Sequence, residues 1–123
     1  MAKKHTPRFL AICEDAKTRI PEITVDQVME MMGSRSDVTL VDVREESEWA
    51  AGRIRGAIHM GKGVIERDIE QTNPDVETVL VLYCGGGYRS ALAADALQRM
   101  GYRKVYSMAG GWRAWLAEGG AVG

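Results

Sequence analysis

Hydrophobic positions along the chain follow two different periods. Across residues 78–83, Val79, Leu80, Val81 and Leu82 run together with no polar alternation. A short unbroken apolar run is what a strand covered on both faces needs, as in a parallel sheet between helices. Residues 38–43, rich in β-branched side chains, and residues 104–108 read as two more strands. Residues 54–60 read as a short extended segment. Between these the period lengthens. Leu92, Ala93, Ala96, Leu97 and Met100 stack at three- and four-residue spacing, which predicts a helix over 89–100 stopped by Gly101. Val25, Val28, Met29 and Met32 predict another, opened by the capping-box pair Thr24 and Gln27 and ended by Gly33 and the polar Ser34-Arg35-Ser36.

Shorter helical patterns cover 45–51, 64–71 and 112–118. Residues 8–18 are expected to form a helix with Phe9, Leu10, Ile12 and Cys13 near one face, interrupted before Pro21. Asn73-Pro74 and Gly110-Gly111 mark turns. Strands alternating with helices predict an α/β fold: a central, mostly parallel sheet flanked by helices on both faces. The expected organisation is an N-terminal extension over 1–22, helical in part, one domain over 23–119, and a tail over 120–123.

The chain has 123 residues, 46% of them hydrophobic, enough for one core and too many for a disordered chain. A net charge of −1 gives no electrostatic case for nucleic acid. The basic cluster Lys3, Lys4, His5 and Arg8 reads as a solvated terminus. No apolar run approaches the roughly 20 residues that span a bilayer, so no membrane partner is expected. The N-terminus also lacks the apolar segment of a secretory signal, so the cytoplasm is the expected location. Cys13 and Cys84 are the only cysteines, which suits a reducing compartment and leaves no structural zinc site. Apolar neighbours of Cys13 predict a buried, inert thiol.

Cys84 stands apart from Cys13 in its surroundings. It closes the apolar strand and opens the segment Cys84-Gly85-Gly86-Gly87-Tyr88-Arg89-Ser90, which leads into a helix. Ligands of open α/β sheets bind at the carboxyl ends of strands. Three successive glycines cost conformational entropy, yet they let the backbone curl so that several N–H groups converge. A thiol at that focus, at a helix N-terminus and near Arg89, is expected to ionise readily.

The loop Cys84-x-x-Gly87-x-Arg89-Ser90 resembles the active-site loop of single-domain members of the rhodanese family. Val41-Asp42-Val43-Arg44, Glu48-Trp49, Gly52, Ile54, Gly56-Ala57-Ile58 and His59 are similar to that family's first signature. Gly110-Gly111-Trp112 with Ala114-Trp115 is similar to its last. The resemblance covers about residues 23–118, with Arg53 where many members have His. Four residues separate Cys84 from Arg89. In the related phosphatases and arsenate reductases the loop is one residue longer, so the length here resembles the sulfur-transferring branch.

The resemblance implies a sulfurtransferase with Cys84 as nucleophile. Cys84 would take the outer sulfur of thiosulfate or a similar donor and pass it to cyanide, to a thiol, or to a protein acceptor. Gly85, Gly86, Gly87, Tyr88, Arg89 and Ser90 would form the substrate-binding loop, with Arg89 holding the anionic part of the donor. Ser90 either donates to the loop or caps the helix. Tyr88 either walls the pocket or projects into solvent. Asp42 and Arg44 would be a structural pair beneath the site, with Glu48 and Trp49 in the same scaffold and His59 in a structural role. Trp112 and Trp115 read as core packing. No metal or organic cofactor is implied. The alternative is a non-catalytic persulfide carrier or interaction module serving a partner protein. Gly85 and Gly86 stand where some thiosulfate-using members have basic residues, which leaves 3-mercaptopyruvate or a protein persulfide open as donor.

Overall fold

The computed structural model describes residues 4–123; Lys3 of the basic cluster and the first residues of the N-terminal extension lie outside them. The strands are β1 (Glu22–Ile23), β2 (Val38–Asp42), β3 (Ile58–His59), β4 (Val79–Tyr83) and β5 (Lys104–Met108). They form one sheet in the order β1-β5-β4-β2-β3, with every neighbouring pair parallel. The helices are α1 (Pro7–Lys17), α2 (Val25–Ser34), α3 (Glu46–Ala51), α4 (Ile65–Thr72), α5 (Tyr88–Arg99) and α6 (Gly111–Ala117).

β4 occupies the centre of the sheet, and all five of its residues are buried. Its alternate side chains feed two cores. Leu80 and Leu82 pack with Ile65, Ile69, Ala91, Ala94 and Leu97 from α4 and α5. Val81 and Tyr83 pack with Val25, Val28 and Trp115 from α2 and α6. The continuous apolar run of β4 therefore has the cause the sequence suggests: helices cover both faces. The capping box of α2 is formed, with Gln27 N–H donating to Thr24 Oγ1 and Thr24 N–H donating to Gln27 Oε1.

Three expectations change. Ile12, expected near one face with Phe9, Leu10 and Cys13, is 54% exposed, while Cys13 and Ala16 are buried. One residue turns a helix by about 100°, so Phe9, Cys13 and Ala16 form the inward stripe and Ile12 falls outside it. The extended segment over 54–60 contracts to β3; Gly56, at φ +86, makes a turn, and Ile54 instead forms an isolated antiparallel bridge with Val122. The solvated terminus also fails at His5, which is half-buried and packs on Phe9 and Tyr88 with ring centroids 5.1 and 4.6 Å apart.

The register sets Asp42 of β2 beside Tyr83 of β4, so Arg44 and Cys84 emerge at the same end of the sheet. Among the described residues, no helix is long and apolar enough to cross a membrane.

Candidate active site at the end of the central strand

Cys84 follows β4 directly, and its side chain is held by the turn into α5. The Gly87 amide donates to Sγ at 3.1 Å and the Ser90 amide at 3.4 Å. The Ser90 hydroxyl lies 3.5 Å from Sγ. Gly87 makes this possible by adopting φ +96, a left-handed conformation that glycine takes without steric strain. Ser90 is positioned in turn by Ser107 of β5, with the two hydroxyl oxygens 2.8 Å apart and both residues fully buried.

The opposite edge of the loop is fixed by α6. Trp112 N–H donates to the Cys84 carbonyl at 2.7 Å, and Arg113 N–H donates to the Gly85 carbonyl at 3.2 Å. With these carbonyls turned towards α6, amides of the loop face the sulfur. The approach is close because Gly111, at φ +56, has no side chain; a Cβ there would fall onto the Cys84 carbonyl oxygen. Gly110-Gly111 is thus a docking surface for the loop as well as a turn.

Two opposing effects act on the thiol. Burial pushes the Cys84 pKa up. The Ser90 hydroxyl and the amides of Ser90, Gly86 and Gly87 pull it down, and they prevail. The result is a sulfur that ionises below the ordinary thiol range while almost wholly shielded, at 1% exposure. Cys13 shows the contrast: it is buried, and that burial raises its pKa. Its Sγ lies 3.8 Å from the Tyr88 carbonyl oxygen.

Beneath the loop lies a buried ion pair. Arg44 donates through Nη2 to Asp42 Oδ2 at 2.7 Å and to the Gly52 carbonyl at 2.6 Å. Tyr83 donates to the same Asp42 oxygen at 2.7 Å and accepts from the Ile54 amide at 3.2 Å. A buried ion pair gains only when its remaining donors and acceptors are satisfied, as they are here. The Arg44 guanidinium stacks on Trp112 at 4.9 Å, which joins this network to α6. His59 contacts the Arg44 carbonyl through Nε2 at 2.9 Å and stacks on Trp49. The Arg53 guanidinium lies over the Trp49 ring, 4.4 Å from its centroid.

Above the sulfur is a cleft of about 470 Å³, lined by His5, Phe9, Glu48, Tyr88, Arg89 and Arg113 around the loop. Tyr88 walls this cleft and carries Lys17 on its ring at 4.3 Å. Arg89 is bound to Glu48 through two hydrogen bonds of 2.7 and 3.1 Å. The hydrogen bonds from Arg89 hold the Glu48 carboxyl down at about 2, so the pair is fully charged at neutral pH and neutral in sum. Arg113 also reaches the cleft: its guanidinium covers Gly86 so closely that a Cβ there would overlap Nη2.

The structure therefore gathers Cys84, Gly85, Gly86, Gly87, Tyr88, Arg89 and Ser90 around one centre, with Asp42 and Arg44 below it. Sequence reasoning missed Ser107, Arg113, His5 and Phe9. Among the described residues, no cluster of three or more His, Cys, Asp or Glu side chains could hold a metal.

The family model described as a Rhodanese-like domain matches residues 24–118. A sulfurtransferase of Allochromatium vinosum is 31% identical over 100 residues, covering 81% of this chain and 92% of that protein. A Bacillus subtilis protein provisionally named a sulfur carrier is 30% identical over 99 residues, 80% of this chain; the aligned part spans 52% of that longer relative. Among solved structures, a Rhodopseudomonas palustris protein of unknown function, described as a possible tyrosine phosphatase, superposes with a TM-score of 0.83. It is 31% identical and matches 100% of this chain and 99% of its own. The family model covers β2 to β5, the cysteine loop and the docking turn of α6, and on that match the chain belongs to the rhodanese family.

Proposed function

We propose that this protein is a sulfurtransferase that carries sulfur as a persulfide on Cys84. The observation behind this reading is the Cys84 thiol itself, buried yet lowered in pKa by the Ser90 hydroxyl and loop amides. The Cys84 thiolate attacks the outer sulfur of thiosulfate or a similar donor. The sulfur–sulfur bond of the donor breaks, sulfite departs with the bonding electron pair, and a Cys84 persulfide anion remains. Cyanide or a thiolate then attacks the terminal sulfur, which leaves as thiocyanate or a new persulfide and restores the thiolate. Both steps conserve charge and require no external base, metal or redox cofactor.

The amides of Gly86, Gly87 and Ser90 serve the terminal persulfide anion as preorganised donors. Gly85 and Gly86, without side chains, leave room for the Arg89 and Arg113 guanidinium groups against the loop. Tyr88 walls it, and Asp42 with Arg44 holds the strand ends in place. A reducing compartment, the cytoplasm, suits a thiol that must stay free. The name of the longer Bacillus subtilis relative favours a second reading, in which the domain passes its persulfide to one protein acceptor.

Thiocyanate formation from thiosulfate and cyanide tests the function. Wild type is expected to turn over and Cys84→Ala to give none. Hydrolysis of an aryl phosphate that depends on Cys84, with no thiocyanate, would instead establish a phosphatase. Persulfide delivery to one protein thiol far faster than to small thiols would select the carrier reading.

A further inference from the structure

The anionic side of the cleft holds two arginines with different electrostatic standing. Arg89 is committed to Glu48 through both of its terminal nitrogens. Among the described residues, no carboxylate pairs with Arg113. The Arg113 guanidinium nevertheless lies over Gly86, at the rim above Sγ. It is the cation in the cleft whose charge no neighbouring acid offsets.

The facing wall has a different chemistry. His5 and Phe9 come from the segment ahead of residues 24–118, and they pack with Tyr88 as a three-ring cluster with centroids 4.6 to 6.4 Å apart. At about 470 Å³, the cleft has the size of a site for a small organic molecule. A single sulfur atom or an inorganic ion would leave the aromatic wall without a function in binding.

We propose that Arg113 anchors the anionic group of the sulfur donor while His5, Phe9 and Tyr88 select for an organic group on it. The donor class is an acidic organic sulfane-sulfur compound, such as a thiosulfonate or an acid-bearing persulfide, larger than thiosulfate. This inference rests on Cys84 being the sulfur-accepting nucleophile. With a thiosulfonate, the Cys84 thiolate takes the outer sulfur, the sulfur–sulfur bond breaks, and a sulfinate departs with the electron pair. One negative charge enters on each reactant and leaves on each product.

Steady-state kinetics with thiosulfate and with benzenethiosulfonate, cyanide as acceptor, separate the two parts. Arg113→Gln is expected to raise KM for both donors by about tenfold, the low end for a charge-assisted hydrogen bond at a partly exposed site, with kcat nearly unchanged. Phe9→Ala is expected to raise KM for benzenethiosulfonate several-fold more than KM for thiosulfate. Wild type should prefer benzenethiosulfonate in kcat/KM. Unchanged KM in Arg113→Gln, or an equal loss for both donors in Phe9→Ala, would overturn the inference while leaving the persulfide mechanism standing. Failure of wild type to gain sulfur from either donor would overturn both.

Discussion

At Cys84 the balance between desolvation and hydrogen bonding decides the chemistry. Burial alone would hold the thiol neutral, as it does for Cys13. The Ser90 hydroxyl and the converging amides reverse that preference. Because the folded pKa lies below the ordinary value of 9.0, the thiolate persists as pH falls below 9 and is lost only on passing through the lowered pKa. Alkylation of Cys84 by iodoacetamide should therefore show its midpoint below 9. Ser90→Ala removes one stabilising donor and leaves Ser107 without its partner, so the midpoint should rise and turnover near neutral pH should drop by about tenfold. A midpoint that Ser90→Ala leaves in place would show that the amides suffice alone.

At the level of elements, β4, α5 and the turn between them form a unit that α6 clamps from outside. Gly111→Ala tests this clamp. The substitution forces a side chain into φ +56 and onto the Cys84 carbonyl oxygen, so it should reduce stability by about 1–3 kcal/mol and also disturb Cys84 alkylation. Gly56→Ala is the matched comparison: φ is +86, but a Cβ there meets nothing within 4 Å. It should cost stability, read by thermal melting, and leave alkylation unchanged. Equal alkylation in both variants would mean that α6 does not shape the loop. These elements also show what a sequence discloses. The β4 run and the α5 stripe declare themselves by periodicity, and the loop chemistry is contiguous from Cys84 to Ser90. β1 spans two residues, too few to show any period. Ser107 looks like any polar strand residue until β5 lies beside β4. Arg113, His5 and Phe9 reach the site only because α6 and α1 dock where they do.

At the scale of the whole molecule, ion pairs link segments that are distant in sequence. Glu48 binds Arg89 across the cleft, and Asp95 of α5 binds Arg19 just beyond α1 at 2.8 Å. The carboxyls of Glu48 and Asp95 are both lowered, chiefly by their arginine hydrogen bonds. A lowered folded pKa stabilises the native state above the unfolded value and withdraws that support as pH falls through the folded one. For Glu48 the window runs from 4.5 down to about 2. Tm should decline as pH falls across that window, and Glu48→Gln should decline less steeply there. A Tm independent of pH down to 2 would contradict this.

The most direct test of the account is the mass of the protein after it meets a donor. Reduced wild type and Cys84→Ala are incubated with thiosulfate or benzenethiosulfonate, freed of excess, and measured intact before and after cyanide. Wild type is expected to gain one sulfur atom and lose it to cyanide, and Cys84→Ala to gain none. A wild type that stays at its original mass with every donor, or a Cys84→Ala variant that gains the same sulfur, would contradict it.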